Sequence, residues 1–465
     1  MSRPAVGIVH LGIGAFFRAF GVPWLEDMMA AKGGDWGVTG VSMRSAAVRD
    51  QLAGADWVYH ALERGPDGLR VRQVRALRGV LVAPEDPAAV VGAMADPAVS
   101  VVSLTVTEKG YCHAPATGAL DPGHPGIVHD LAHPRAPVTA PGFIVAALAR
   151  RRAAGVRPFT CLSCDNLPEN GRVLRGVVLD LARRVDPGLA EWIAAEGRFP
   201  CSMIDRIVPA TAEADLDAVE RLTGVRDPGA VVHEPFRQWV IEDDFVDGVR
   251  PAFQVAGVQM VDDVAPYEHM KLRCLNGTHS ALAYLGVLAG KRTVAEAVAD
   301  PAFRGFIERL WADEIIPSFA PPPGEDVARY VTRLMQRYRN PGIEHRTIQI
   351  AMDGSQKLPQ RILAPVTDNL AAGRPVEGLC LVVAAWVRFL RGVSDNGVPH
   401  AVNDPLADDL QGAALGDNPV AAVLAMRDVV PPVLADDARF RAAVQDGYDL
   451  LAARGVAAAL QAGPG

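Results

Sequence analysis

Over the first 170 residues or so, short apolar runs alternate with stretches of helical period. Residues 5–11 are apolar and end at Gly12-Ile13-Gly14, after which helical periodicity runs from Trp24 towards Ala31. Residues 36–43 read as a second strand, 69–82 as further strand-rich sequence, 88–94 as a short helix and 99–106 as a buried strand. Alternating strands and helices predict an α/β fold whose N-terminal part is a Rossmann-type, doubly wound parallel sheet. Residues 112–142, rich in Pro, Gly and His and without a period, read as a long ordered excursion, and 144–152 as a helix. A strand at 159–163 leads into Cys164-Asp165-Asn166, and Asn170 reads as the N-cap of a helix with Leu174, Val177, Val178 and Leu181 on its apolar face. Residues 199–209 read as an apolar strand holding Asp205 and Arg206, as an ion pair or as charges in use; 238–246 read as a surface edge segment.

Beyond Lys291 the period is helical, over 294–298, 303–314, 328–337, 379–390, 419–426 and 438–461. A rigid turn is expected at 317–323 and an interruption at 354–359. Two domains follow, a dinucleotide-binding domain over 1–266 and an all-helical substrate domain over 267–465. The active site is expected in the cleft between them.

Residues 267–286 lie at the transition. On a regular helix, at about 100° per residue, Glu268, Lys271, Asn276 and His279 fall within an arc of roughly 140°. Met270, Cys274, Ala281 and Leu285 lie opposite and suit a core. One face therefore offers a carboxylate, an amine, an amide and an imidazole, which is an acid–base kit without a nucleophile.

Composition narrows the classes. With 49% hydrophobic and 22% charged residues the chain is globular, and a net charge of −8 argues against a nucleic-acid partner. No signal-peptide pattern and no long uninterrupted apolar run suggest a cytoplasmic protein without a membrane partner. Six scattered cysteines fit free thiols, and the Cys161-x-x-Cys164 pair, in an apolar strand, carries no metal or redox expectation. His113, His124, His129 and His133 lack zinc-site spacing.

Strand, glycine turn and helix give the context for a dinucleotide site at Gly12, Gly14, Phe16 and Arg18. Gly12 permits the tight turn and Gly14 the approach of the pyrophosphate, while Phe17 occupies the third glycine position. At the end of the second strand, where an acid usually holds the ribose, stands Arg44. NAD is the expected cofactor, and Arg44 leaves NADP open. Asn166 falls at the carboxyl end of a strand, where active-site groups of open parallel sheets lie.

Five motifs together, GIGAFFRAF, SCDNLPENG, SMIDRIVPA, KLRCLNGTHSALAYLG and the more variable IQIAMDGSQKLPQRIL, resemble the mannitol dehydrogenase family of long-chain polyol and sugar-acid dehydrogenases. The resemblance implies nicotinamide dependence, independence from metal and a small open-chain substrate. It implies Lys271 as general base, Asn166 and Asn276 as donors to the developing alkoxide, and His279 as the substrate-orienting group. It further implies Asp205 and Lys357 as substrate contacts and Glu268 as a proton relay. Two departures stand out: Phe17 and Phe20 replace histidines usual in the N-terminal motif, and an arginine that contacts polyol in some members is replaced near Gln349. Arg346 and Lys357 supply positive charge in the variable motif, which leans the substrate towards a sugar acid of the mannonate and fructuronate type, with mannitol and fructose as the alternative. A dinucleotide-binding redox sensor without turnover is the rival from another class, and the expected assembly is a monomer or small homo-oligomer.

Overall fold

The computed structural model describes residues 3–114 and 118–462. The chain divides into two compact units, Met1–Ala265 and Pro266–Gly465.

The first unit opens with β1 (Val6–Leu11), α1 (Ala15–Ala19), α2 (Gly21–Lys32), β2 (Gly37–Ser42) and α3 (Ala47–Ala53). A hairpin of β3 (Tyr59–Gly65) and β4 (Gly68–Val74) precedes β5 (Leu77–Val82), α4 (Pro87–Ala95) and β6 (Val101–Leu104). Then come α5 (Pro125–Ala132), α6 (Ala140–Ala153) and β7 (Thr160–Ser163). Five strands form one sheet in the order β5-β2-β1-β6-β7, with every neighbouring pair parallel. Val9, Val102 and Cys161 enter the core on one face, and Ile8, Val101 and Leu162 the core on the other. Burial on both faces is why these strands read as continuous apolar runs without alternation. Strand order reverses between β1 and β6, so the loops leaving these two strands flank the crevice where open α/β sheets bind ligands.

The unit continues through α7 (Asn170–Val185), α8 (Pro187–Glu196), β8 (Ser202–Asp205), α9 (Glu213–Thr223), β9 (Val231–His233), β10 (Gln238–Glu242) and β11 (Gln259–Val261). Two further sheets result, ordered β4-β3-β9 and β11-β10-β8.

Four expectations are corrected here. First, β10 is the buried central strand of its sheet, not a surface edge: Glu242 is neutralised where it lies, accepting from the Cys201 N–H at 2.9 Å and from Arg172 at 3.1 Å. Second, Asn170 is not a cap. It is fully buried, donates to the carbonyls of Asp165 and Ser202 and accepts from the Ser202 N–H, so it ties the loop after β7 to β8. Third, the strand expected over 199–209 shrinks to Ser202–Asp205. Fourth, the excursion over 112–142 holds α5 and the start of α6. Its irregular backbone is organised by the buried Asp130 carboxylate, which accepts from the N–H groups of Val138 and Thr139 and from the Thr139 hydroxyl. Residues 115–117 of that stretch lie outside those described.

The helical part comprises α10 (Ala265–Met270), α11 (Thr278–Leu288), α12 (Val294–Ala299), α13 (Pro301–Arg309), α14 (Val327–Tyr338), α15 (Thr347–Ile350), α16 (Gly354–Leu358) and α17 (Ala364–Ala371). It ends with α18 (Glu377–Phe389), α19 (Ala407–Leu415), α20 (Pro419–Leu424), α21 (Pro432–Ala435) and α22 (Ala438–Ala462). Wider π-helical turns occur at Lys271–Gly277, Leu310–Ile315 and Pro359–Leu363. The expected interruption at 354–359 is instead α16 running into such a turn. Asp353 starts it at φ 57°, and Gly354 lies so close to α11 and α18 that a Cβ would come within 2.6 Å of Trp386 Nε1 and 2.7 Å of the Tyr284 hydroxyl. Glycine and proline there read as breakers, but tertiary contact demands the glycine.

Glu314, in the second π turn, is buried and receives the N–H groups of Gly378 at 2.7 Å and Leu379 at 2.8 Å from the first turn of α18. Burial pushes its carboxyl up to about 7 from 4.5, against the pull of those two donors, and Glu377 and Asp313 add to the rise. An acid whose folded-state pKa is raised stabilises the fold fully below its unfolded value and loses that contribution as pH rises through the folded one. Stability should therefore fall between about pH 4.5 and 7 by a contribution on the order of 3 kcal/mol that Glu314→Gln removes. Urea unfolding across that range checks this, and parallel pH profiles for the two proteins would refute it.

Candidate active site

At the carboxyl end of β1 the chain turns at Gly12, whose φ is 89° and whose N–H reaches the Val41 carbonyl at 2.9 Å. A Cβ at Gly12 would stand 2.1 Å from the Thr105 carbonyl oxygen, so the exits of β1 and β6 meet there without room for a side chain. At Gly14 the opposite holds: a Cβ would meet nothing nearer than the Gly12 carbonyl at 3.9 Å. The space beside Gly14 is open, and the N-terminus of α1 begins at the next residue, which suits an anionic diphosphate.

His10 is the residue that reading the sequence missed. Its ring stacks on Phe17 at 3.4 Å, Nδ1 meets the Ser103 hydroxyl at 2.8 Å and Nε2 the Thr105 hydroxyl at 2.9 Å. Thr105 donates in turn to the Gly12 carbonyl, so the imidazole, the phenyl ring and two hydroxyls hold the glycine turn. Burial keeps His10 neutral, lowering its pKa to about 3. A histidine inside an apolar strand was the available signal. Phe17, a departure from the family pattern, acts here as the stacking partner of His10.

The remaining cofactor candidates separate. Phe16 is half-buried and stacks on Phe20 at 5.3 Å. Arg18 is corrected: its buried guanidinium donates to the Gly229 carbonyl and lies 5.5 Å from the Tyr59 ring, so it braces the helix after the turn rather than offering a free cation. Arg44, just past β2, is exposed and enters no ion pair among the described residues.

In the second unit the expected helix over 267–286 is not regular. It is α10, a π turn over Lys271–Gly277, and α11. Positions five apart stand about 140° apart on an α-helix, but i to i+5 hydrogen bonding draws them towards one line. Lys271 and Asn276 are such a pair. Gly277 explains the Asn-Gly step, since a Cβ there would come within 2.9 Å of the Arg361 carbonyl in the third π turn. Met270, Cys274, Ala281 and Leu285 are fully buried, as the pattern demands.

Lys271 is 9% exposed and His279 8%, whereas Glu268 and Asn276 are half-buried. The His279 ring sits 4.9 Å from Tyr338 and edge-on to His345 at 4.7 Å. Its Nε2 is buried without a hydrogen-bond partner among the described residues. Burial, with His345, Arg337 and Arg361 nearby, holds this imidazole far below its usual pKa, and His345 is pushed down to about 4. A neutral ring with an unsatisfied nitrogen suits a sugar hydroxyl.

Lys357, in α16, donates to the Met352 carbonyl at 2.6 Å and lies 3.5 Å from Asp353. Arg346 lies just before α15. Its side chain is exposed and makes no hydrogen bond or ion pair among the described residues, while its backbone bridges to Thr293. The preceding His345 meets His279 instead. Asn166 is exposed at the carboxyl end of β7, and Asp205 is buried as the last residue of β8. Arg206 donates to the carbonyls of Ala19 and Glu234, so it serves the backbone.

Residues 6–254 match the mannitol dehydrogenase Rossmann domain and residues 263–452 the mannitol dehydrogenase C-terminal domain. The chain belongs to the mannitol dehydrogenase family. It is an oxidoreductase, and the expected architecture, a parallel Rossmann-type sheet followed by a helix-rich part, holds. It is 45% identical over 460 residues to the uncharacterized oxidoreductase YeiQ of Escherichia coli strain K12, covering 97% of this chain and 93% of that one. To the D-mannonate oxidoreductase of the same strain it is 43% identical over 461 residues, covering 98% and 95%. Among solved structures, the Pseudomonas fluorescens mannitol 2-dehydrogenase, in a ternary complex with NAD and D-mannitol, is 39% identical with a TM-score of 0.86, covering 99% of this chain and 94% of that one. Among the described residues no helix is long and apolar enough to cross a membrane.

Proposed function

We propose that this family member is an NAD-dependent dehydrogenase interconverting an open-chain sugar acid and its keto form, of the mannonate and fructuronate kind. The carrying observation is the helix face of Lys271, Asn276 and His279, with a buried lysine and an imidazole nitrogen awaiting a partner. Gly12 and Gly14 hold the diphosphate of NAD at the β1 turn, and the solved relative's complex with NAD supports this cofactor. When bound, NAD supplies the acceptor for the hydride leaving the alcohol carbon.

Every other step belongs to the chain. Lys271 takes the proton from the substrate hydroxyl, and Glu268 passes it on towards water. Asn276 and Asn166 donate amide N–H groups to the oxygen as it gains negative charge. His279, kept neutral by burial, orients the substrate through a neighbouring hydroxyl, and Asp205 accepts from another. Lys357 supplies positive charge for the carboxylate end. A redox sensor that binds dinucleotide without turnover has no use for this set.

The test is steady-state oxidation of NADH with fructuronate and fructose in parallel, repeated with NADPH. Efficient reduction of fructuronate with NADH is expected. Preference for fructose would transfer the assignment to hexitols, preference for NADPH would mean that Arg44 holds a 2′-phosphate, and no turnover with any ketone would favour the sensor.

A further inference from the structure

We propose that Arg361, together with Ser280 and Lys357, forms an anion subsite beside His279 that receives the carboxylate end of the substrate. This rests on the sugar-acid reading above and names the residue that enforces it.

Two buried arginines, Arg151 and Arg206, spend their donors on the main chain, whereas buried Arg18 keeps an unpartnered Nε among the described residues. Arg151 donates to the carbonyls of Met94, Asp96, Val99 and Arg157, and Arg206 to those of Ala19 and Glu234. Arg361 is different. It is half-buried, and among the described residues one of its five N–H donors meets a protein acceptor, in a long 3.4 Å bond to the Ser280 hydroxyl. Ser280 directly follows His279, whose buried Nε2 is also without a partner among the described residues. A guanidinium fork with donors to spare and a buried imidazole nitrogen without a partner among the described residues thus stand at neighbouring places.

Asp353 is the carboxylate that favours the charge of Arg361, and it is shared with Lys357. Asp353 lies 3.5 Å from Lys357, and Asp404 accepts from the N–H and hydroxyl of Ser355. Arg337, His279 and His345 face the same region and bring no negative charge. Burial, and then Arg361 one helical turn on, lower the pKa of Lys357, and burial lowers that of Arg361. Two cations desolvated together with one carboxylate between them are costly unless an anion joins them. A planar carboxylate fits the guanidinium fork in a bidentate manner. The position of Arg361 has a structural cause, since its carbonyl abuts Gly277 and so registers the third π turn against the turn bearing Lys271 and Asn276.

The test compares Arg361→Gln and Arg361→Lys with the unaltered enzyme, reading kcat/KM for fructuronate and for fructose. In Arg361→Gln the fructuronate-to-fructose ratio should fall ~30-fold or more, chiefly through KM for the acid, and Arg361→Lys should recover part of it. A ratio within about threefold of the unaltered enzyme's would overturn the subsite while leaving the sugar-acid reading intact. If the unaltered enzyme itself prefers fructose, that reading fails and the subsite with it. Should Arg361→Gln not fold, competitive inhibition of the unaltered enzyme by mannonate and by mannitol decides: tighter binding of mannonate that weakens with salt supports the subsite, and equal affinity overturns it.

Discussion

Replacing Lys271 by alanine is expected to lower the rate of ketone reduction by ~10²-fold or more while NADH still binds. The amine is buried at the first position of a π turn, so its loss removes the proposed base and leaves the fold of the turn to Met270 and Cys274, which are fully buried behind it. Removing a largely buried ammonium also removes its desolvation cost, which offsets part of the packing lost, and thermal unfolding should shift by only a few degrees. Stopped-flow single turnovers separate the chemical step from cofactor binding, which intrinsic fluorescence quenching by NADH reports. Near-normal turnover would remove Lys271 from the mechanism, and loss of NADH binding together with activity would make its role structural.

The two glycines of the β1 turn should respond in opposite ways. Alanine at Gly12 must adopt φ near 89° and place its Cβ 2.1 Å from the Thr105 carbonyl oxygen. Neither strand can yield, because β1 and β6 are hydrogen-bonded neighbours and the His10, Ser103 and Thr105 contacts tie their exits together. A loss of about 3 kcal/mol or more is expected, seen as a lower midpoint in urea, with NADH affinity lost as the turn opens. Gly14→Ala meets only the Gly12 carbonyl at 3.9 Å, so the fold should be nearly unaffected. Its methyl group enters the space assigned to the diphosphate, and NADH should bind ~10-fold or more weakly. Unchanged NADH affinity in Gly14→Ala would place the cofactor elsewhere.

Much of this was legible because it follows from local rules. An apolar run, a glycine turn and a helix mark a nucleotide-binding β1 wherever they occur, and period 3.6 marks the helical half. Asn170, β10 and Glu314 were not legible in that way. Each is a polar group whose partner lies far along the chain: Ser202 for Asn170, Cys201 for Glu242 in β10, Gly378 for Glu314. A polar residue reads as exposed until its distant donor or acceptor is known.

The sequence by itself determined the family and the α/β-then-helical order, since five motifs of residue type and spacing suffice for those, and it named the candidate site residues. Only the tertiary structure decided which of them meet. The π turn at Lys271–Gly277 brings positions five apart towards one line, and it persists because Gly277 admits the Arg361 carbonyl at a distance no side chain would allow. Likewise, with extended backbone at Arg346, the His345 ring meets His279 while the Arg346 side chain is left to solvent. The positive charge beside His279 therefore comes from Arg337 and Arg361, because close packing, and not nearness in sequence, sets what surrounds a buried imidazole.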